Sequence, residues 1–385
     1  MIRNTTLKKA LKNTVFKVLT VLNDFIPKND KIVLIYSATM GIRHSLVPIR
    51  KYLLDNHYED KYRIYCGIES MKYAEKIPKV YFVNKWLSIL VFFRAAHVFY
   101  SVGQIPIKPS KHQSVIHVNH GNADFKTVGL LTNINNGDEF FFTKMVASSE
   151  MYVPIIAKEY GCSETNIAVA GDPLTDQLLS YPRKTYNFDD FKQVLVWLPT
   201  FRQSDFLGYN DSNMDTLIPL FKEEEYEHLN EMLRKYNIRM IVKLHTAQKA
   251  PKGMKRHFSH LSVFSHVEFM NSGYDLYTLI AQSDGLVGDY SSVSMQYLLL
   301  DRPQAYVIPD IEEYKKTRGF VFEKPEDYMG GHIVKNKEDF EKFLLDFAEG
   351  KDSYRDKRHW VCNQVYKYKD ANSCRRVVAL AGIHE

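Results

Sequence analysis

Cysteine is scarce in this chain of 385 residues. It has four, Cys66, Cys162, Cys362 and Cys374, and no two stand in a CxxC spacing. That argues against a zinc ribbon and a disulfide framework, and fits a reducing compartment. Several signatures are missing as well. No DxD occurs, so the carboxylate pair that commonly bridges a metal to a nucleotide diphosphate is absent. Neither GxGxxG nor GxxxxGK[ST] is found, which removes support from dinucleotide and P-loop readings, and the lack of GxSxG weakens a hydrolase reading. No metal and no cofactor is expected. Nor is there an apolar run of the roughly 20 residues that a membrane-spanning helix needs. The best candidate, Trp86 to Tyr100, is interrupted by Arg94 and His97 and reads as a buried helix running into a strand. The N-terminus has the charge of a signal peptide, but no uninterrupted apolar segment or small-residue cleavage site follows.

Acidic residues are missing from the first twenty positions, which carry Arg3, Lys8, Lys9, Lys12 and Lys17. Leu7, Leu11, Val15, Val18 and Leu22 recur at helical spacing, so residues 1–25 read as a basic amphipathic helix. Such a helix can lie on an anionic membrane surface, or pack on its own domain with a solvated lysine face; the absence of acids favours the membrane. The net charge of +6 favours anionic partners. No recognisable nucleic-acid module accompanies it, so nucleic acid is not expected as a partner. Hydrophobic residues at 45% and charged residues at 25% describe an ordinary folded chain, and the 13% aromatics point to aromatic-rich cores.

The length suits two domains rather than one core. Short apolar runs alternate with helical stretches: strands at Lys31–Tyr36, Tyr62–Cys66, Lys79–Val83, Ala96–Tyr100 and Ser114–Val118, with a helix at Ser45–Leu54. The pattern then repeats, with strands at Gln193–Leu198, Arg239–Leu244, Gly285–Val287 and Gln304–Ile308 and helices at Glu223–Tyr236, Asp275–Ser283 and Val293–Leu300. Strands alternating with helices predict an α/β fold with parallel sheets, here two Rossmann-like doubly wound domains. The expected domains are 26–182 and 183–350, with helices in 351–385 packing back toward the first. Ligands of such folds bind at the carboxyl ends of strands, and two domains in series suggest a cleft between them.

Polar residues gather at four predicted strand ends. His120-Gly121 follows Val115–Val118, Pro199-Thr200-Phe201-Arg202 follows Val194–Leu198, and Lys243-Leu244-His245 closes the strand from Arg239. Asp289-Tyr290-Ser291-Ser292 follows Leu286-Val287-Gly288 and opens a helix. Hydroxyls and free N–H groups at such a turn can seat a phosphate or diphosphate; Asp289 can also be a plain helix cap. A neutral His120 suits a general base, and is equally one loop histidine among 14. Lys243 and His245 lie two apart on a strand and face one side, where they could neutralise a leaving diphosphate or simply meet solvent. Arg202 and Arg318 could clamp phosphate or be ordinary loop arginines.

Taken in order, Pro199-Thr-Phe-Arg202, Lys243-Leu-His245, Gly288-Asp-Tyr-Ser-Ser-Val293, Asp301-Arg-Pro303, Asp310 with Tyr314, Arg318-Gly-Phe320 and Asn372-Ser-Cys-Arg-Arg-Val377 resemble the CDP-glycerol glycerophosphotransferase family, the teichoic acid primases and polymerases. The resemblance covers roughly residues 110 to 380. It implies a GT-B fold and a cytoplasmic enzyme, peripheral on the inner face of the membrane. That enzyme would transfer glycerol or ribitol phosphate from CDP-glycerol or CDP-ribitol to a lipid-linked glycan or polyol-phosphate acceptor, releasing CMP. It further implies His120 as the acceptor base, His245 as a diphosphate ligand that stabilises the leaving CMP, and Ser291 and Ser292 as diphosphate binders, with Asp289 shaping their turn. Thr200, Arg202, Lys243, Gln296 and Arg318 fall on the donor side. The family's His-Gly-Thr-Pro-Leu-Lys is replaced by His120-Gly-Asn-Ala-Asp-Phe-Lys126, a change on the acceptor side. Gln296 stands where an acid is usual, and Thr246 where proline is common. These departures fit a capsule or divergent cell-wall polymer enzyme. A glycosyltransferase using a nucleotide sugar and a non-catalytic nucleotide-binding protein on the membrane are the rival readings; a homo-oligomer is left open.

Overall fold

The run Ile32-Val-Leu-Ile-Tyr36 has no polar alternation, and such runs form strands covered on both faces. In the computed structural model it lies in β1 (Asn29–Tyr36), with Val33, Leu34 and Ile35 fully buried. The structure describes residues 15–39, 41–119, 121–132, 139–182, 184–203, 210–246, 248, 253 and 255–384. They divide into two compact units.

The first unit takes in the described residues of Met1–Asn122, Asn136–Asp176 and Asp370–Glu385. After α1 (Val15–Phe25) and β1 come α2 (Leu46–Asp55), β2 (Arg63–Ile68), β3 (Val80–Asn84), α3 (Lys85–Arg94), β4 (Ala95–Tyr100), β5 (Ser114–His117), β6 (Lys144–Ala147), α4 (Val153–Tyr160) and β7 (Ile167–Val169). The sheet runs β3-β2-β1-β4-β5-β6-β7 with every pairing parallel.

The second unit holds the described residues of Ala123–Asn135 and Gln177–Lys369. Its elements are β8 (Gln193–Trp197), α5 (Tyr226–Lys235), β9 (Ile238–Lys243), β10 (Leu261–Phe264), α6 (His266–Asn271), α7 (Leu276–Gln282), β11 (Gly285–Gly288), α8 (Ser292–Tyr297), β12 (Gln304–Val307), α9 (Ile311–Thr317), β13 (His332–Val334), α10 (Lys337–Ala348) and α11 (Arg355–Val365). The strand order β10-β9-β8-β11-β12-β13 is all parallel. Counted from β8 this is the 3-2-1-4-5-6 order of dinucleotide-binding folds, whose switch point lies between the first and fourth strands, β8 and β11. Trp197 on β8 anchors the core: it is fully buried, with Phe340 of α10 stacked on it at 5.3 Å and Phe221 edge-on at 6.3 Å.

Two expectations are corrected. The segment Trp86–Tyr100 does form a helix running into a strand, α3 into β4, but the helix buries only Ser88, Phe92 and Phe93. Its other face is open, with Trp86 68%, Leu87 48% and Leu90 62% exposed. The tail also divides. In α12 (Ser373–Leu380), Cys374, Val377 and Val378 pack with Val33, Ile49 and Phe99 of the first unit. Residues 351–369 stay with the second unit. The reason is Arg358 on α11, fully buried, which donates to Asp301 at 2.9 Å and to Asp352 at 3.0 Å. A buried guanidinium is stable only with its carboxylates in place, and this pair of bonds fixes α11 beside the turn at Asp301.

Arg358→Met should therefore destabilise the second unit by about 3 kcal/mol, the lower end for a broken buried pair, because Asp301 and Asp352 are 32% and 25% exposed and partly solvated. The urea midpoint measures it; an unchanged midpoint would show that α11 is held by its apolar contacts alone.

Candidate active site

β8 and β11 are hydrogen-bonded neighbours, with Val196 opposite Leu286 and Trp197 opposite Val287. The crevice beyond their carboxyl ends is where open α/β sheets take ligands. Four sequence motifs arrive there: Pro199–Arg202 from β8, Lys243–His245 from β9, Asp289–Ser292 from β11 and Asp310 beyond β12.

Arg202 organises these ends. It is 2% exposed, and its guanidinium donates from Nε to Asp310 at 2.6 Å and from Nη1 to Asp289 at 2.8 Å and the Thr200 carbonyl at 2.9 Å. Its charge lies over the rings of Tyr290 (5.0 Å) and Tyr314 (5.4 Å). Asp310 also accepts from Ser212 Oγ at 2.7 Å and Tyr290 O–H at 3.0 Å. Burial alone would raise the Asp310 carboxyl, but Arg202 and these donors override it and hold it below the usual carboxylate range. Asp289 accepts from the Thr200 N–H at 2.8 Å and from the Thr200 hydroxyl.

Three expectations change here. Arg202 is directed inward onto two carboxylates, so it frames the site rather than presenting a fork to phosphate. Asp289 does not cap the following helix; the N-cap position belongs to Ser291, and the Asp289 carboxylate is turned across to β8. Thr200 is buried, with both its N–H and hydroxyl directed to Asp289.

Ser291 and Ser292 behave differently. Both are half-buried, Ser291 in extended backbone (φ −79°, ψ 143°) and Ser292 as the first residue of α8, and the Ser291 side chain makes no capping bond to its own helix. His245 is half-buried against Phe201, with ring centroids 4.9 Å apart, and its backbone N–H donates to Gln248 Oε1 at 3.1 Å. Burial first, then the charges of Lys126 and Lys243 and the neighbouring His266, push its pKa down to about 3. The imidazole is thus neutral at physiological pH yet stands in a positive field, a setting that favours an incoming anion. Lys243 lies 5.7 Å over the ring of Phe269. Gln296 is buried and accepts from Tyr277 O–H at 3.0 Å. Arg318, just past α9, is half-buried, with its Nε enclosed and, among the described residues, without a hydrogen-bond partner. His120 lies outside the described residues.

Sequence reasoning gives no role to Asp310, Tyr290, Ser212 or Lys126. For Asp310 a signal exists, since it stands one residue past the strand Gln304–Ile308, after Pro309. Lys126 closes the stretch that the sequence puts on the acceptor side, and it is placed instead by a pairing with Phe320 far along the chain.

Arg202→Met should leave Asp289 and Asp310 buried without their cation and cost about 3–5 kcal/mol at neutral pH. The sign of its pH dependence follows from Asp310. In the native chain this carboxyl is depressed, so its contribution is present above the unfolded pKa and is lost as pH falls through the folded value. The variant raises that carboxyl instead, so its deficit relative to the native chain should begin to shrink above the ordinary carboxylate value of about 4, as pH falls through the variant's raised pKa, and go on shrinking down to the native chain's depressed one. Urea midpoints from pH 7 to pH 3.5 test this; a deficit independent of pH would assign the loss to packing.

The family described as CDP-glycerol:poly(glycerophosphate) glycerophosphotransferase matches residues 18–381. Curated relatives include the teichoic acid ribitol-phosphate polymerase TarL of Staphylococcus aureus (strain NCTC 8325 / PS 47), 28% identical over 288 residues, covering 70% of this chain and 47% of TarL. The teichoic acid glycerol-phosphate primase of Bacillus subtilis (strain 168) is 28% identical over 226 residues, covering 55% of this chain and 54% of the primase. The chain spans about half the length of these relatives. Among solved structures, the wall teichoic acid polymerase TagF aligns with a TM-score of 0.72 over 98% of this chain and 94% of TagF, at 18% identity, a likeness of fold. The match of one family to nearly the whole chain, on a fold shared with TagF, makes this protein a member of the CDP-glycerol:poly(glycerophosphate) glycerophosphotransferase family.

Proposed function

We propose that this chain transfers a polyol phosphate, glycerol phosphate or ribitol phosphate, from a CDP-alditol to a hydroxyl of a lipid-linked wall or capsule polymer, releasing CMP. The observation that carries the reading is the convergence at the second unit's switch point. It is supported by Ser291 and Ser292 following β11 and by Lys243 and His245 at the end of β9, with Arg202 tying the loops after β8, β11 and β12. Hydroxyls, cations and a neutral imidazole in a positive field suit a diphosphate, and phosphoryl transfer asks a protein mainly for positioning and charge stabilisation.

In this reading the acceptor oxygen attacks the β-phosphorus in line. The new O–P bond forms as the bond to the CMP oxygen breaks, and His120 takes the acceptor's proton. Ser291 and Ser292 hold the diphosphate oxygens, and His245 and Lys243 offset the charge that moves onto CMP. Arg202, Asp289 and Thr200 act one step back, by fixing the turns that carry these groups. Gln296 acts through its bond to Tyr277, holding α8 in place.

Incubation with CDP-glycerol, CDP-ribitol and common nucleotide sugars separately should release CMP from a CDP-alditol alone; release of UMP or UDP from a sugar donor would replace this reading with a glycosyltransferase. Ser292→Ala should weaken CDP binding by about tenfold in calorimetry, as expected for one hydrogen bond to a charged group. His120→Ala should keep CDP binding while turnover falls by on the order of 10²-fold or more. Unchanged turnover would remove His120 from the mechanism.

We also propose that the protein works at the anionic inner face of the membrane as a peripheral enzyme. Among the described residues no helix is long and apolar enough to cross a bilayer. The support is an exposed apolar face on α1, with Val15, Val18, Val21, Leu22 and Phe25, and another on α3. Removal of residues 1–20 should abolish flotation with anionic liposomes at physiological salt; continued flotation would show that the first helix is not the anchor.

A further inference from the structure

Residues 123–135 lie in sequence between two parts of the first unit, yet belong to the second. A short antiparallel pairing attaches them. Lys126 bridges to Phe320, Val321 N–H donates to the Phe125 carbonyl at 2.8 Å, and the Thr127 hydroxyl donates to the Arg318 carbonyl at 2.8 Å. Gly319 makes the approach possible: its φ is +81°, and a Cβ there would stand 3.3 Å from Thr127 Oγ1. Phe125 is fully buried, edge-on to Tyr306 at 6.0 Å and Phe322 at 6.3 Å. Successive side chains of an extended segment point to opposite faces, so anchoring Phe125 turns Lys126 the other way. Lys126 is half-buried. Phe320, its partner across the bridge, packs on Tyr290 at 5.1 Å, and Tyr290 directly precedes Ser291. The segment therefore delivers a second cation beside Arg318 and the wall behind the serines.

The charges around this pair are not balanced by contact. Asp124 and Asp211 face both cations, yet burial keeps the two carboxyls above the usual range despite them. Among the described residues neither Lys126 nor Arg318 closes an ion pair, and Arg318 Nε is enclosed without a hydrogen-bond partner. Lys126 is also the foremost charge acting on His245, ahead of Lys243. Two cations flanking Phe320, which packs on the residue before Ser291, and without an ion pair among the described residues, form a seat for an anion supplied from outside.

We propose that Lys126, together with Arg318, binds phosphate oxygens of the diphosphate donor, so that residues 123–128 form a phosphate clamp carried by the second unit. The proposal rests on the donor reading given above. It moves the change at residues 122–126, placed on the acceptor side by sequence, to the donor side from Ala123 onward.

The test uses the full chain with Lys126→Gln and Lys126→Arg, titrated calorimetrically with CDP, inorganic pyrophosphate and cytidine. Lys126→Gln should weaken CDP and pyrophosphate by about ten- to a hundredfold, the scale of a charge-assisted phosphate contact, and leave cytidine unchanged. Lys126→Arg should stay within a few-fold of the native chain. NMR titration of His245 supplies a readout independent of ligand: Lys126→Gln should raise its pKa from about 3 by removing the foremost neighbouring charge. A native chain that fails to bind CDP sinks the donor reading and the proposal with it. CDP binding that is intact in both the native chain and Lys126→Gln sinks the Lys126 assignment alone. An equal loss in Lys126→Arg and Lys126→Gln would also overturn it, as a packing effect.

Discussion

A guanidinium with 2% exposure between two carboxylates is the constraint on which this site depends. Taking three charges out of water is expensive, and the arrangement holds only if nearly every donor and acceptor is matched. Arg202 meets that condition by drawing together the ends of β8, β11 and β12: its own loop through the Thr200 carbonyl, Asp289 after β11, and Asp310 after β12. Ser212 adds the segment beyond residues 204–209, and Tyr290 folds onto the same carboxylate. Backbone bonds tie each loop locally, as where Asp211 N–H donates to the Arg202 carbonyl at 2.7 Å and Tyr314 N–H to the Asp310 carbonyl at 2.9 Å, and the buried charge joins these loops to one another.

One consequence is a division of labour among the charged residues. Asp289 and Asp310 together outweigh Arg202 by one charge, so this buried cluster supplies no positive field to the crevice. What remains toward a ligand is the serine turn, a neutral imidazole and the cations Lys126 and Arg318. Had Arg202 faced the crevice, the site would hold more charge but less shape, since its loops would have no common anchor. Phosphoryl transfer gains most from fixed geometry around the reacting phosphorus, which is what a paired, enclosed arginine supplies.

The parts of this protein legible in its sequence are those set by local pattern. Long apolar strands such as β1, β8 and β9 were marked by their residues, and the alternation with helices pointed to two parallel sheets. The serine turn was legible because small hydroxyl residues directly follow a strand. Strands β6, β7, β10 and β13, three or four residues long, give too short a pattern to separate from loop. The roles of Arg202, Asp289 and Gln296 escaped for another reason. A charged or amide side chain after a strand looks the same whether it meets a ligand or a partner elsewhere in the chain, and only the fold brings Asp310 to Arg202 or Tyr277 to Gln296. Trp86–Arg94 misled in the opposite direction: an apolar helix implies burial, but sequence does not say whether both faces are covered.

Arg318 and Lys126 mark the limit of motif reading. An arginine in a short recurring motif invites a ligand role, and so does Arg202; their surroundings separate them. Arg202 has its carboxylates at 2.6 and 2.8 Å, whereas Arg318 keeps an enclosed Nε without a partner among the described residues and lies near carboxyls that burial still holds high. The first arrangement is complete and gains nothing from an anion. The second carries a standing electrostatic cost that an anion would relieve, because a bound phosphate would supply the missing acceptor. Binding energy is thus concentrated where the protein is least satisfied, and the rigid arginine beside it keeps that dissatisfaction from relaxing away through loop movement.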